Sequence, residues 1–428
     1  MLCDRDWCRV RVTLLVLSTV VLVFAPAWAQ LQYKSLYSFK GGNDGAAPLA
    51  GVIFDGAGNL FGTTQYGGAH GQGTVYELTP NSDGTWKERV LHAFTGGTDG
   101  VIPRAGVVLD AAGNLYGATQ YGGNTGCLSH LGCGLIFKLI PNKDGSWTEQ
   151  VLLRFTGGKD GAQPVSDLIF DQAGNLYGTT FAGGNTNCSS GCGVVFKLVP
   201  NTDGTWKEEV LYQFTGLTDG SEPIAALVFD RAGNLYSTAQ LGSRYGEGTV
   251  YQLTPNAHGS WKVKVLHSFT GGRDGGGPGD RLILDGEGNL YGMTANGGAT
   301  DWGTVFELTP NSDGTWKEKI LYQFSGGNDG GTPFGGLLFD QAGNLFGTAS
   351  NGGFHARNCG NYGCGNAFKL TRGSNGVWKE TVLHLFKDRP GAHPGATLIF
   401  DAMGNLYSTT IGGDNNEVTF GSVFEITP

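Results

Sequence analysis

Six cysteines form three close pairs, Cys127/Cys133, Cys188/Cys192 and Cys359/Cys364. In an exported chain such pairs read as short-range disulfides. As metal ligands they would need matching histidines, and each pair sits alone in a separate segment without them. Six aspartates recur in "GGxDG"-type segments: Asp44, Asp99, Asp160, Asp219, Asp274 and Asp329. Asp388 occupies a looser version, "KDRPG". Carboxylates at such spacing suit either ordinary Asp-Gly turns or a weak cation site, for which calcium is the candidate cofactor. Two places break a run of small residues with charge, Ser166-Asp167 and Asp280-Arg281. There Asp167, Asp280 and Arg281 offer either a salt bridge or a polar ligand site, and the two carboxylates are the candidate pair for glycoside hydrolysis. Tyr66, Tyr121 and Trp302 lead a set of scattered aromatics, with His70, Phe181, Tyr245, Phe354 and His355, that suits sugar rings or a protein partner. No nucleophile elbow, phosphate loop or HExxH helix accompanies them.

What positions these residues is a repeat. Residues 170–180 read "FDQAGNLYGTT", and near-copies begin at 54 and 339. The Asp of each phrase recurs at 55, 110, 171, 230, 285, 340 and 401, and a proline lies seven residues before every one. Such periodicity is the signature of a repeat architecture. Each unit holds four strand-like runs, A ("GVIFD"), B ("NLYGTT"), C ("GTVFELTP") and D ("WKEKILYQF"), rich in Val, Ile, Tyr, Phe, Thr and Trp. "DxxGN" joins A to B and "PNSDGT" joins C to D, both tight turns. The Asp and Asn of the first phrase are therefore turn residues. The Trp that opens run D is packing, and His92, His267 and His384 share a D position with tyrosines, which marks them as scaffold.

The ends fix the count. The last unit has A, B and C but no D, while "LQYKSLYSF" at 31–39 is a D run without a unit. The expected fold is all-β, a seven-bladed β-propeller of four-stranded antiparallel blades, closed by the N-terminal strand completing the last blade. A β-solenoid is the other architecture such repeats allow. In a propeller the A–B and C–D turns share one face. The longer, more varied B–C and D–A loops share the other, and function is expected there. Run A, innermost, lines the central tunnel.

The bulk properties agree. Charged residues make up 15% of the chain and 75 residues are glycine, as many tight turns between short strands require. Arg5, Arg9 and Arg11 precede an apolar run at 12–26 that closes with Ala27-Trp28-Ala29. This reads as a cleaved secretory signal over 1–29, leaving 30–428 as one exported propeller domain. Cleavage removes three basic and two acidic groups, leaving 25 and 35 and a net charge of −10. That balance disfavours nucleic acid. After cleavage no membrane span is expected. Localisation in the periplasm or outside the cell and a monomeric state are the expectations.

The consensus "LIFDQAGNLYGTTxxGGxxxxGTVFKLxPxxDGTWKExVLYxFTGGxDG" resembles the GloVer tandem repeat of bacterial exported proteins, over about residues 31–428. The resemblance implies export and a propeller-like fold and carries over no catalytic residue. That family is associated with C-terminal anchors, whereas this sequence closes on a C run. The "D-x-x-G-N-L-Y" turn is similar to those of NHL-type propellers, which mostly bind partners. "NSDGTW" resembles a shortened sialidase Asp-box without the arginine cluster of those enzymes. The function expected is a non-catalytic scaffold that binds a glycan or protein through its B–C/D–A face. The alternatives are a carbohydrate-active or lactonase-type enzyme with its site at the tunnel mouth, and a structural component of the cell envelope.

Overall fold

The computed structural model describes residues 31–427 except 125, 128–130, 280, 388 and 413–419. The signal expected over 1–29 therefore lies outside the described residues, as do Asp280 and Asp388. Seven antiparallel sheets follow one another around a ring. Blade 1 is Ile53–Phe54, Leu60–Thr64, Thr74–Pro80 and Trp86–Ala93, in the order A, B, C, D from axis to rim. Blade 7 takes Ile399–Phe400, Leu406–Thr410 and Ser422–Thr427 as A, B and C, and its D strand is Gln32–Ser38. There Tyr33 pairs with Ile426 and Lys34 with Glu425.

The A–B turn shows why the repeated phrase is needed. Asp55 Oδ1 accepts the N–H groups of Ala57 and Asn59 at 2.9 and 2.8 Å, and the Asn59 amide donates to Oδ2 at 2.9 Å. The side chain satisfies turn donors that no strand could reach. In blade 2 the Tyr116 hydroxyl joins the same carboxylate at 3.0 Å. The glycine of run B makes room for an aromatic. A Cβ on Gly117 would fall 2.5 Å from the Phe137 ring.

Run A is shorter than its sequence suggests. In six blades only two residues pair with run B, and in the sixth blade the strand is Gly335–Phe339. The residues before them turn toward the neighbouring blade instead. Thr63 Oγ1 donates to the Ala105 carbonyl at 2.9 Å, and Thr348 Oγ1 to that of Ala396 at 3.1 Å. At the crowded axis these cross-blade bonds replace the ladder.

The core lies between blades. Phe94, which ends strand D of blade 1, meets Phe137 of blade 2 edge-on at 5.3 Å. The same pair recurs around the ring, ending with Phe386 on Phe424 at 5.0 Å and Phe39 on Tyr76 at 5.0 Å. The seam closed by the N-terminal strand is thus packed like the others. Among the described residues no helix is long and apolar enough to cross a membrane.

Candidate functional site

Each repeat proline leads into the axis, and the three residues after it form three stacked rings. The first ring is Leu49, Arg104, Val165, Ile224, Gly279, Phe334 and Gly395. Among the described residues, the second and third hold the small residues read from the sequence, with Ser166, Asp167, Arg281 and Thr397 as exceptions. Together with Gln120, Phe181, Gln240, Ser350, Asn351 and Ile411 from the ends of the B strands, they line a central funnel of about 560 Å³ to which all seven blades contribute. Its lining mixes B-strand ends and D–A loop ends, so it opens on the B–C/D–A face. The size falls within the range of small-molecule sites.

Apart from Arg104 the collar of the funnel is apolar, and polar side chains stand below it. Ser166 is buried, and its hydroxyl accepts the N–H of Thr179 at 3.2 Å and bonds its Oγ1 at 2.9 Å. Asp167 Oδ1 accepts the Gly106 N–H at 2.6 Å, tying its carboxylate to the preceding blade. The Asp–Arg bridge across the tunnel is absent among the described residues. Arg104 and Arg281 both line the funnel, and neither has an ion-pair or hydrogen-bond partner among the described residues. Asp167 is the single carboxylate among the described lining residues.

Sequence reasoning found the second and third rings but missed the first. Its signal was available, because a fixed offset from the proline holds a different residue in every copy.

The aromatic candidates divide. Tyr66 is about half exposed, and its backbone bridges Ala46 of the D–A loop. Tyr121 takes the equivalent place in blade 2, opposite Val101. Neither lines the funnel. Trp302 does not stand free. Its ring packs on Gly326 and Gly331 of the D–A loop, where an added Cβ would meet it at 2.3 and 2.4 Å. Tyr362, which the sequence reading passed over, meets Trp302 edge-on at 6.4 Å and is 60% exposed.

Trp302 occupies a position that recurs in every blade, immediately before the glycine that opens run C. Gln72, Cys133, Cys192, Glu247, Trp302, Cys364 and Phe420 fill it in turn. The carbonyl of each accepts an N–H from the next D–A loop, as in Ile102 to Gln72 at 3.0 Å and Thr332 to Trp302 at 2.8 Å. The pairs Cys127–Cys133, Cys188–Cys192 and Cys359–Cys364 are disulfides with Cα separations of 5.4, 5.1 and 5.0 Å. A Cβ on Gly157 would meet Cys127 Sγ, just as one on Gly326 meets Trp302. Disulfide and tryptophan are interchangeable plugs under the D–A loop.

The six described D–A aspartates are engaged locally. Asp44 Oδ2 accepts the Lys40 N–H at 2.9 Å, and Asp329 takes the N–H and hydroxyl of Ser325 at 2.8 and 2.5 Å. A glutamate from strand D of the next blade faces several of them. Burial, then the charge of Asp160, pushes the Glu208 carboxyl up to about 7. Burial, then the charge of Asp329, does the same for Glu380. At the seam between blades 1 and 2 a histidine joins the carboxylates, and His92, Asp99 and Glu149 converge closely enough to hold a metal ion.

A profile of the Gloeobacter/Verrucomicrobia repeat matches residues 20–228 and 186–358. No curated protein matches. Among solved structures, one provisionally named 6-phosphogluconolactonase from Bacteroides uniformis is similar at 14% identity, covering 85% of this chain and 93% of its own, with a TM-score of 0.52. The sialidase of Trypanosoma rangeli shares 13% identity over 82% of this chain and 57% of its own, with a TM-score of 0.41. A provisionally named oxidoreductase (glucose dehydrogenase) from Thermus thermophilus shares 14% over 93% of this chain and 100% of its own, with a TM-score of 0.43. At these identities the likeness concerns the fold.

Proposed function

The chain belongs to the Gloeobacter/Verrucomicrobia repeat family, and we propose that it is an exported, non-catalytic propeller that seats a small acidic glycan in its central funnel. One observation carries this reading. Two guanidinium groups, Arg104 and Arg281, which have no partner among the described residues, line a funnel whose other described side chains include a single carboxylate and are otherwise neutral. Arg281 is half-buried and Arg104 exposed; a half-buried cation calls for a compensating anion, and guanidinium pairs well with carboxylate. The collar of Leu49, Val165, Ile224 and Phe334 offers an apolar surface for a sugar ring. In a chain of net charge −9, such a patch is a local exception.

A binding role also suits Asp167, whose carboxylate is held by the Gly106 N–H. A second reading, lactone or glycoside hydrolysis at the same funnel, gains some favour from the lactonase name of a structural neighbour.

The test is a glycan array probed with the mature protein, with and without calcium, beside an Arg281→Gln variant. Retention of acidic glycans by the wild type, lost in the variant, supports the proposal. No retention together with turnover of a chromogenic glycoside or sugar lactone overturns it in favour of the enzyme. Retention that is unchanged in both Arg281→Gln and Arg104→Gln moves the site to the rim aromatics.

A further inference from the structure

The seams at the rim carry a constellation that the funnel does not use. At each seam three elements meet: strand D of one blade, the D–A loop after it, and strand D of the next blade. Between blades 1 and 2 they supply His92, Asp99 and Glu149. His92 Nε2 lies 3.2 Å from Asp99 Oδ1. One ligand-capable atom from each of the three residues lies within 4.8 Å of the others.

The arrangement is held from outside. Asp99 Oδ2 accepts the Thr95 N–H at 2.5 Å and its hydroxyl at 2.8 Å. The carboxylate is thereby fixed with Oδ1 turned to the imidazole, which is how outer partners orient metal ligands. Glu149 Oε1 is buried and has no hydrogen-bond partner.

The constellation occurs twice. Between blades 4 and 5, His267 Nε2 lies 3.5 Å from Asp274 Oδ2 and 3.8 Å from Glu318 Oε1. Here His267 Nε2 and Glu318 Oε1 are both buried without a hydrogen-bond partner. At three other seams the histidine position is a tyrosine whose hydroxyl donates to the aspartate, at 2.9 Å from Tyr37 to Asp44, 2.7 Å from Tyr212 to Asp219 and 3.2 Å from Tyr322 to Asp329. Hydroxyl and carboxylate alone make a sufficient turn. The glutamate recurs at seams without a histidine, as Glu88 beside Asp44 and Glu380 beside Asp329, so the imidazole is what sets these two seams apart.

We propose that His92, Asp99 and Glu149 form a site for a divalent transition metal of the zinc and cobalt class, joining blade 1 to blade 2, with His267, Asp274 and Glu318 as a weaker second copy. One imidazole nitrogen and two carboxylate oxygens suit such ions, and a water completes four-coordination. Calcium takes oxygen ligands and would leave the imidazole unused. An ion can reach the site from solvent. The side chains of His92 and Asp99 keep 20% and 16% of their exposure, and the matching seam between blades 7 and 1 opens as a groove lined by Tyr37, Asp44 and Glu88. The site is independent of the funnel ligand.

The chain itself supplies fold-compatible variants. His92→Tyr copies the seams of Tyr37 and Tyr212, and Glu149→Val copies Val263 of blade 4. The chelator-stripped mature protein is titrated with Zn²⁺ by calorimetry and with Co²⁺ by visible absorption, with circular dichroism as the check on folding. The expected result is Co²⁺ ligand-field bands and one tight Zn²⁺ equivalent, weakened about tenfold or more in His92→Tyr and in Glu149→Val. His267→Tyr removes a weaker equivalent and leaves the tight one. The proposal is overturned by absence of Zn²⁺ and Co²⁺ binding, by Ca²⁺ uptake in their place, by binding unchanged in His92→Tyr, or by loss of the tight equivalent in His267→Tyr instead.

Discussion

The hydroxyl of Thr409 donates to the carbonyl of Ala50 at 3.0 Å, across 359 residues of chain. It joins blade 7 to blade 1 with the bond that Thr63 and Ala105 make between blades 1 and 2 at 2.9 Å. The ring therefore closes by the same contacts that build it.

Removing the closing strand should open that ring. Deletion of residues 31–39 takes away the buried Leu36 and Phe39 and leaves the C strand of blade 7 without its outer partner. Each large apolar side chain contributes about 1.5–3 kcal/mol, so a loss of at least about 3 kcal/mol is expected. Chemical denaturation of chains 30–428 and 40–428 measures it. Equal stability would mean that the strand is dispensable and the seam holds without it.

The plug position predicts how stabilities rank. Removing one disulfide pair, Cys188→Ala with Cys192→Ala, should cost about 2 kcal/mol, the chain-entropy value for so small a loop. Trp302→Ala leaves a cavity beneath Gly326 and Gly331 and should cost about 3 kcal/mol or more. Thermal unfolding of the two variants decides between them. Trp302→Phe should leave glycan retention unchanged, because the ring is packed under the loop.

The funnel should be closable by one substitution. Gly279 has ordinary backbone geometry, and a Cβ there would lie 3.3 Å from Ile224 and 3.5 Å from Phe334. Gly279→Phe fills the collar between them. Ligand retention should fall at least about tenfold while the unfolding midpoint shifts little, since the added ring occupies the funnel and not the blade core. A variant that binds as well as the wild type would remove the funnel from the argument.

The seam glutamates should make stability fall as pH rises. Glu208 is raised from 4.5 to about 7 by burial and then by Asp160. Below about 4.5 both folded and unfolded chains hold the proton, so the stabilisation is fully present. Between 4.5 and 7 the unfolded chain releases it first, and the folded state loses that share of its stability. Glu208→Gln mimics the protonated form. Its melting temperature should match the wild type near pH 4.5 and exceed it above pH 7. Parallel melting curves across that range would show that Glu208 does not titrate in this way.

The architecture was legible in the sequence because its causes are local. The "DxxGN" turn folds on its own aspartate, as Asp55 with Ala57 and Asn59 shows, and strand alternation needs only neighbouring residues. The offset between a missing last D run and an extra first one was enough to give seven blades and their closure. Sequence proximity likewise paired Cys127 with Cys133, Cys188 with Cys192 and Cys359 with Cys364.

What only the tertiary structure decided is every relation between blades. Residues 55 to 61 apart in sequence meet because the ring brings one offset of each repeat to the axis and another to the seam. Leu49 and Phe334 become one collar, Trp302 and a disulfide become the same plug, and His92 meets Glu149 across two strands. No local pattern records such distances. They follow from the angle at which successive sheets pack, and that angle is set by aromatic pairs such as Phe94 on Phe137 that exist only once the ring has formed.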